Sequence, residues 1–490
     1  MPDTWTDFCA RVAEIDALNA ASGVLGWDQQ VTLPRGGHAH RGAHLAALAG
    51  VIHERLVHPA LGELVEALER DADPQKRRAA LVMRRRRDPA VRTPAALVRE
   101  MAAAQADGFP AWMAARDARD FDVFAPALRR LVALTKARIG HLGPAAHPYD
   151  HLLEEHDPGV RTAELVPLFD RLGAALAPFV AAVADRPQPP PLGVEVPSPA
   201  LFRVSHRILD AMGFRADDGR LDASEHPFSM GIGVHDVRLT LHPDPHDLLG
   251  TLGGTIHEGG HGLYEQGLPE ELAGTGLCAA AGMGLHESQS RFWENTIGRS
   301  AAFSQWLSVV LAAEAGRIVD PATLFRAANR VERSLIRVKA DEVTYNLHIL
   351  VRTRLEIALF AGDLSVDDLP AAWDEAYAAL LGVRPAHATE GVLQDIHWSG
   401  AAFGYFPSYT LGNLYAAGMG AALVAERPGV WDEVARGELG PILAWLRPRV
   451  HARGCTADAP EIVRDAVGER DLVEDLLAHL RARQEAVAAG

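Results

Sequence analysis

The chain has 490 residues, of which 48% are hydrophobic and 23% are charged, and its formal net charge is −16 at pH 7. This composition is typical of a globular protein with a large core, and frequent alanine with few aromatic residues favours helices. The acidic balance argues against nucleic acid or an anionic membrane as the main partner.

The N-terminal part of the chain is predicted to be helical. Apolar residues recur at helical period in residues 7–27 and 161–184. The N-terminus lacks the features of a secretory signal, and no apolar run reaches the roughly 18 residues of a membrane span. Cys9, Cys278 and Cys455 form no CxxC pair, which fits a reducing compartment. We therefore expect a cytoplasmic protein whose partners include neither membrane nor nucleic acid.

Residues 76–87, KRRAALVMRRRR, form one strongly basic cluster. It is either a nucleic-acid patch or a solvated helix face that pairs with acidic side chains elsewhere. The acidic chain and the lack of interleaved aromatic residues favour the second interpretation.

A proline-rich stretch, residues 186–199, predicts an extended connector. It follows an N-terminal helical region, 1–185, which we expect to form a wall or a lid of a cleft. Residues 200–490 then form the catalytic region. We find no internal repeat, and we predict a single large helical unit over 1–490.

The helical pattern is interrupted once and then resumes. Residues 224–243 combine glycines with the alternation Val-Arg-Leu-Thr-Leu, which predicts a short strand or hairpin around 226–241. Residues 321–362 and 461–487 again show helical period, and Asp320-Pro321 is a typical helix start. The predicted fold class is therefore all-α with a small β element.

The segment HEGGH, residues 257–261, places two histidines at i and i+4. On a helix they lie on one face, so both imidazoles can bind one metal ion. Glu258 lies about 100° further around the helix, from where its carboxylate reaches a water on the metal rather than the metal itself. The alternative is an ordinary helical turn with two solvated histidines. The flanking glycines, each costing up to about 1 kcal/mol against alanine in a helix, favour a functional site.

A catalytic zinc needs a third protein ligand. The pattern HExxHxxGxxH fails because Tyr264 occupies the position of the glycine. In the next helical stretch, residues 277–298, Glu287 is the first choice and Glu294 the alternative, and His286 either packs or supports a ligand. Three acidic residues follow the motif too closely to turn back towards it: Glu265, Glu270 and Glu271.

HEGGHGLYEQG followed by HESQS resembles the M32 metallocarboxypeptidases of the thermostable carboxypeptidase Taq type. Further motifs that resemble this family follow in order along the whole chain: WDQQVTLPRGG, HPF (226–228), DVRLT (236–240), IRVKAD (336–341), GVLQDIHW (391–398) and FGYFPSYTLG (403–412). One departure is Leu241, where the family often has a second threonine.

The resemblance implies a nearly all-helical fold, like that of neurolysin-type peptidases, with a deep cleft. It also implies one divalent metal ion per chain, usually Zn²⁺ with Co²⁺ able to substitute, and a homodimer. The implied activity is removal of C-terminal residues from peptide substrates with broad specificity. His257, His261 and Glu287 are then the metal ligands, and Glu258 is the general base.

Two further roles follow from this chemistry. Tyr405 and Tyr409, with His397 behind them, are the expected donors to the developing oxyanion, unless the tyrosines are ordinary core aromatics. Arg337 is our first choice for binding the substrate α-carboxylate and Arg238 the second, since a guanidinium fits a carboxylate.

Three interpretations stay open around these residues. Arg337 has an alternative role as the i+4 partner of Asp341 on a helix. His226 either lines the cleft or packs at a strand end, and Asp395 is expected to support its neighbours rather than to react.

Other functions are possible on the same motifs. A zinc oligopeptidase or endopeptidase has the same ligands, and only the arginine assignments and the family resemblance favour end-cleavage. A helical binding or scaffold protein needs no open metal position, and a structural zinc site normally has four protein ligands, commonly cysteines. Cys278 has no neighbouring base, which argues against a cysteine hydrolase.

Overall fold

The computed structural model describes residues 3–489. The N-terminal region begins with six helices: α1 (Thr4–Val31), α2 (His38–Val57), α3 (Pro59–Leu68), α4 (Pro74–Arg92), α5 (Ala95–Ala118) and α6 (Ala125–Leu142). The side chain of Asp3 accepts a hydrogen bond from the backbone N–H of Thr6 and caps α1. Phe8, Leu61 and Met83 belong to a small core of α1, α3 and α4 that also includes Leu277 and Cys455 and is separate from the main core of the molecule.

The basic cluster lies on α4 and is an ion-paired face. Arg85 contacts Asp458 at 2.5 Å and Glu154 at 2.9 Å, and Arg78 contacts Asp458 at 2.8 Å. Arg84 pairs with Glu69 in the same way. The arginines thus join the N-terminal helices to the rest of the chain, as the second interpretation of this cluster predicted.

Three more helices lead to the sheet: α7 (Asp150–His156), α8 (Thr162–Ala184) and α9 (Ser198–Met212). The connector from 186 to 197 has no helix or strand, in agreement with its proline content. By length and hydropathy α8 is the one described helix that could cross a membrane. Its residues Leu172 and Leu176 are fully buried in the main core.

The predicted β element is confirmed and extended. Three strands, β1 (Gly219–Ala223), β2 (Ser229–Gly233) and β3 (Asp236–Leu241), form a sheet in the order β1-β3-β2. β2 and β3 form the predicted antiparallel hairpin, whereas β1, which starts before the predicted segment, runs parallel to β3. Val237, Leu239 and Leu241 of β3 are fully buried. The central strand therefore anchors the sheet to the helical core.

The remaining elements are helices: α10 (Leu248–Glu265), α11 (Met283–Arg291), α12 (Ala301–Val310), α13 (Pro321–Ala328), α14 (Glu342–Ala361), α15 (Leu369–Leu380), α16 (Phe406–Glu426), α17 (Val430–Ala435), α18 (Gly440–Arg449), α19 (Ala459–Val467) and α20 (Leu472–Ala489). A π-helical turn, Phe292–Gly298, directly continues α11. The all-α prediction with a small sheet is thus confirmed.

The helical period over 321–362 corresponds to two helices, α13 and α14, rather than to one continuous helix. Asp320 does cap α13, but residues 329–341 form an irregular segment before α14. Gln188 accepts the backbone N–H of Val331 at 2.9 Å, and Gln394 accepts that of Arg337 at 2.8 Å. These hydrogen bonds to residues remote in sequence take the place of the backbone hydrogen bonds of a helix. The C-terminal stretch is likewise divided, at Gly468, which has φ +77°.

Two glycines allow the helices of the site to approach closely. A Cβ on Gly260 of α10 would lie 2.5 Å from the backbone oxygen of Gln289 in α11. A Cβ on Gly412 of α16 would lie 2.6 Å from Cγ of Glu287. Any larger side chain would push these helices apart, so the two glycines set the position of α11 between α10 and α16.

Candidate metal centre

α10 and α11 bring three potential metal ligands together. The ligand atoms of His257, His261 and Glu287 all lie within 4.8 Å of one another, the one such group of three or more found among residues 3–489. Oε2 of Glu287 lies 3.4 Å from Nε2 of His261 and 3.7 Å from Nε2 of His257. Two imidazole nitrogens and one carboxylate oxygen therefore face a common point.

Each of the three potential ligands also forms a hydrogen bond with a further side chain on the side away from the common point. Nδ1 of His257 is 2.9 Å from Oε2 of Glu294, and Nδ1 of His261 is 2.5 Å from Nδ1 of His286. Nε of Arg291 donates to Oε1 of Glu287 at 2.7 Å. Glu294, the alternative ligand in the sequence analysis, thus orients His257 and stands outside the cluster of three.

The charge states of the cluster suit a cation. Burial and the neighbouring His286 lower the pKa of His261 to about 3, so its imidazole is neutral. Burial opposes ionisation of Glu287, but the Arg291 guanidinium together with His257 and His261 outweighs it and holds the pKa of that carboxyl well below its usual range. Burial likewise opposes protonation of His257, but the Glu287 carboxylate raises its pKa. A divalent ion placed here competes with that proton.

The three residues fit a catalytic divalent ion. Neutral imidazole and carboxylate are the donors that Zn²⁺ accepts, and three protein ligands leave a coordination position open. In both histidines the Nδ1 atom already has a partner, which leaves Nε2 directed at the common point. Such outer partners orient the ligands of metal sites.

Glu258 is buried in α10, next to His257. The side chain of Ser229 in β2 forms a hydrogen bond with its carboxylate. Burial raises the pKa of Glu258, although the neighbouring His257 opposes the change. A carboxylate with a raised pKa is a better proton acceptor than one in water.

Tyr345, Tyr405 and Tyr409 form a cluster of three tyrosines. The rings of Tyr405 and Tyr409 are 5.2 Å apart, and those of Tyr345 and Tyr409 are 6.2 Å apart. Burial, followed by the Glu287 carboxylate, raises the pKa of Tyr405 to about 12. Burial also raises the pKa of Tyr409 well above its usual value. Both phenols therefore keep their protons and can donate.

His397 lies against this tyrosine cluster. Its Nε2 is 3.3 Å from the hydroxyl of Tyr409, and its ring is 5.7 Å from that of Tyr405. Burial lowers the pKa of His397 to about 4, although the carboxylate of Asp395 opposes the change. The structure thus places a neutral His397 behind the two tyrosines.

Arg337 is buried at the edge of the tyrosine cluster. It donates to Oδ1 of Asp395 at 2.8 Å and to the hydroxyl of Tyr345 at 3.2 Å. The expected alternative, an i+4 pair with Asp341, does not form, because Asp341 caps α14 by accepting from the N–H groups of Val343 and Thr344. Asp395 also binds Arg352 at 2.6 Å, so it fixes two guanidinium groups.

Arg238 and His226 lie at the sheet. Arg238 forms a two-point ion pair with Asp236, at 2.8 and 2.9 Å, and its guanidinium lies 4.6 Å above the ring of Trp27. His226 is exposed in the turn before β2. Pro227, its neighbour, packs near Gly254, one turn before His257 in α10. Arg238 therefore contacts the N-terminal helix α1 through Trp27. His226 lies in the segment that packs against α10 one turn before His257.

Two residues of the site were missed in the sequence. Arg291 follows Glu287 by four residues in α11, so its i,i+4 spacing was a usable signal. Its guanidinium lies 4.5 Å above the ring of Tyr345, which joins the ligands to the tyrosine cluster. Tyr345 itself gave no signal, because Arg291 and Tyr409, which contact its ring, are remote in sequence.

A cleft with a cavity of about 730 Å³ lies at Glu265, one turn of α10 beyond His261, and its lining residues do not include the three potential ligands. Its walls include Asp16 of α1, Arg85 of α4, Gly231 of β2 and Glu265 of α10. Cys278 also faces it, and burial raises the pKa of this thiol to about 11, unlike that of a reactive cysteine. The N-terminal helices and the residues beyond 200 thus share one cleft.

Comparisons with known proteins show which sequences and structures this chain is similar to. A family profile described as carboxypeptidase Taq (M32) metallopeptidase matches residues 7–484. The chain is 41% identical to thermostable carboxypeptidase 1 of Thermus thermophilus, over 98% of this chain and 96% of the relative. The structure of a Pyrococcus furiosus carboxypeptidase has a TM-score of 0.95 at 33% identity, covering 99% of each chain. The M32 carboxypeptidase of Deinococcus radiodurans has a TM-score of 0.94 at 34% identity, covering 99% of this chain and 100% of the other.

Proposed function

Because the chain belongs to the M32 family of metallocarboxypeptidases, we propose that it releases single amino acids, with broad specificity, from peptide C-termini in a zinc-dependent reaction. The observation that carries this proposal is the convergence of His257, His261 and Glu287 on one point, with Glu258 beside them. The general activity, a metallocarboxypeptidase, follows from the family. The metal, the mode of cleavage and the roles of single residues are our proposals.

His257, His261 and Glu287 would hold the metal, here Zn²⁺, with Co²⁺ able to replace it. When bound, the ion polarises the scissile carbonyl and lowers the pKa of water at the site. Glu258 accepts the proton of the attacking water and passes it to the leaving amine. Burial supports this role, because it raises the pKa of Glu258 and so makes its carboxylate a stronger proton acceptor.

The hydroxyls of Tyr405 and Tyr409 donate to the oxygen on which negative charge develops. Their raised pKa values keep them protonated, as a donor must be. His397 positions Tyr409 through the contact of 3.3 Å between Nε2 and the hydroxyl.

Arg337 binds the α-carboxylate of the substrate. Asp395 and Tyr345 hold its guanidinium, so the fork is oriented before the peptide arrives. Arg238 is the second choice, and its complete pairing with Asp236 makes it less available. His226, which lies beside the part of α10 that precedes His257, contacts the peptide at the rim of the cleft.

The test replaces each arginine by lysine and compares a peptide acid with its C-terminal amide. We expect Arg337→Lys to lower kcat/KM for the acid by about 10–100-fold, since the two-point contact is lost while the charge remains. The matched control, Arg238→Lys, should behave like wild type. The opposite pattern would move the carboxylate site to Arg238.

The alternative is a zinc oligopeptidase or endopeptidase on the same fold, which has the same ligands and the same base. An endopeptidase cleaves the acid and the amide at equal internal positions, and neither arginine substitution would then discriminate between them.

Three further properties complete the proposal. Free Cys9, Cys278 and Cys455 support a cytoplasmic location, since no disulfide forms among them. We expect a homodimer, which light scattering on the purified protein tests. Metal analysis of protein prepared without added metal tests whether zinc is the native ion.

A further inference from the structure

One carboxylate near the metal centre has no part in the chemistry described above. Glu265 ends α10, four residues after His261, and its carboxylate faces the cleft. Among the described residues it forms no ion pair with lysine or arginine. Its partner is His286, whose Nε2 lies 2.8 Å from Oε1 of Glu265.

His286 in turn contacts a metal ligand. Its Nδ1 lies 2.5 Å from Nδ1 of His261, and the two rings are 4.5 Å apart. The ring of Tyr264 packs against His286 from the other side at 5.4 Å. Glu265, His286 and His261 thus form a line of hydrogen-bonded groups that ends at the metal centre.

The chemistry of this line permits one arrangement of protons with a bound ion. If Nε2 of His261 binds the metal, its Nδ1 carries the hydrogen and donates to Nδ1 of His286. A neutral His286 that accepts at Nδ1 carries its own hydrogen on Nε2. That hydrogen needs an acceptor, and an ionised carboxylate is an acceptor only. The carboxylate of Glu265 is the acceptor.

We propose that Glu265, acting through His286, holds His261 in the tautomer that binds the metal and thereby strengthens metal binding. This inference rests on the metal centre proposed above. Glu265 is a positioning residue, because it touches neither the metal nor the scissile bond.

The neighbouring strand leaves space for this carboxylate. A Cβ on Gly231 of β2 would lie 2.3 Å from Oε2 of Glu265 and 2.6 Å from its Cδ. Gly233, two residues further along β2, has nothing within 4 Å of the same added atom. Alanine at 231 therefore displaces the Glu265 side chain while Glu265, His286 and His261 all keep their chemical groups. Alanine at 233 is its matched control.

The test measures the zinc dissociation constant by competition with a chromogenic chelator. Glu265→Met removes the acceptor, and Glu271→Met removes an exposed carboxylate outside the line as a control. We expect Glu265→Met to weaken zinc binding by about 10–100-fold, the usual effect of removing an outer partner of a ligand. Gly231→Ala should weaken it less, while Glu271→Met and Gly233→Ala should match wild type. Equal dissociation constants for wild type and Glu265→Met would overturn the proposal.

A second measurement needs no variant and covers the case in which Glu265→Met fails to fold. Neutron diffraction from zinc-loaded wild-type protein should show deuterium on Nε2 of His286 and on Nδ1 of His261. Deuterium on Nδ1 of His286 would overturn the proposal. Wild-type protein that binds no stoichiometric zinc would instead contradict the proposed metal centre, so the two failures are distinguishable.

Discussion

Glu258 is the residue on which the proposed reaction depends most. It lies beside the ligands and has a raised pKa, but it is not one of the three groups that converge on the metal position. A substitution here should therefore separate chemistry from metal binding.

We predict that Glu258→Gln lowers kcat by about 10²–10⁴-fold, because the proton of the attacking water loses its acceptor. The zinc content should stay at the wild-type value, since His257, His261 and Glu287 are unchanged. Steady-state kinetics and metal analysis on the same preparation check both expectations, with Glu271→Gln as the control. A variant that loses zinc and activity together would show that Glu258 has a structural part in the site.

Glu356 of α14 is a fully buried carboxyl group outside the proposed chemistry. It accepts hydrogen bonds from Tyr149, Trp398 and the backbone of Gly404. Burial raises its pKa to about 7, although these bonds oppose the change. In the unfolded chain the same carboxyl titrates near 4.5. The folded protein therefore holds a proton that the unfolded chain has lost between these two pH values.

The free energy of unfolding should record this difference. The contribution of a protonated Glu356 is complete below about pH 4.5 and decreases as the pH rises to about 7, because only the folded state still binds the proton. Above pH 7 it should no longer change. We expect Glu356→Gln, which cannot ionise, to lack this dependence. Urea unfolding of both proteins from pH 5 to 8 checks it, and parallel curves would contradict it.

At the residue scale the sequence predicted part of the site. The spacing of His257 and His261 and the search for a downstream carboxylate led to residues that the structure brings together. The partner of Arg337 was missed, because Asp395 is 58 residues away in sequence. Local spacing identifies neighbours on one helix, whereas contacts between elements leave no periodic signal.

At the scale of elements, the site depends on how closely α10 and α11 approach. Gly260 lies against the backbone of α11, whereas a Cβ on Gly253 of the same helix would meet only Oε1 of Glu294, at 4.0 Å. The two glycines therefore differ in function although both weaken the helix.

We predict opposite effects of alanine at these two positions. Gly260→Ala should push Glu287 away from the histidines, lower the unfolding temperature and weaken zinc binding. Gly253→Ala should leave zinc binding unchanged and stabilise the protein by up to about 1 kcal/mol through helix propensity. Thermal unfolding and chelator competition check both. Equal behaviour of the two variants would mean that helix contact does not position Glu287.

The irregular segment 329–341 separates α13 from α14, although the sequence shows helical period throughout 321–362. Its apolar residues continue the helical period of their neighbours, so the pattern alone favours helix. Gln188 and Gln394 take its backbone N–H groups, and both lie far away in sequence. Asp341, now the cap of α14, was the one local sign of a break. The break matters because it places Arg337 beside the tyrosine cluster.

At the scale of the molecule, residues from remote parts of the chain line one cleft. α1, α4, β2 and α10 each contribute to it. The resemblance implied a cleft, but composition and periodicity cannot place its walls, because they report on one segment at a time. The fold class, by contrast, was predictable, since helical period is a local property.

The N-terminal region, 1–185, remains our candidate for a wall or a lid. Its first helices pack on a small core that also includes Leu277 and Cys455 of the region beyond 200, and α4 is further attached through ion pairs of Arg78 and Arg85 with Asp458. We predict that the cleft narrows when a peptide is bound. Crystal structures with and without a peptide inhibitor check this by the separation of α4 and β2. An unchanged separation would favour a rigid wall.

The most direct test of the account follows peptide trimming by mass spectrometry. The substrate is a peptide with a blocked N-terminus, supplied as the free acid and as the C-terminal amide. Zinc-loaded wild-type protein should remove single residues in steps from the acid only, and a chelator or Glu258→Gln should abolish the reaction. Internal cleavage of both peptides would contradict the assignment of end-cleavage, and no cleavage by the zinc-loaded protein would contradict the proposed reaction as a whole.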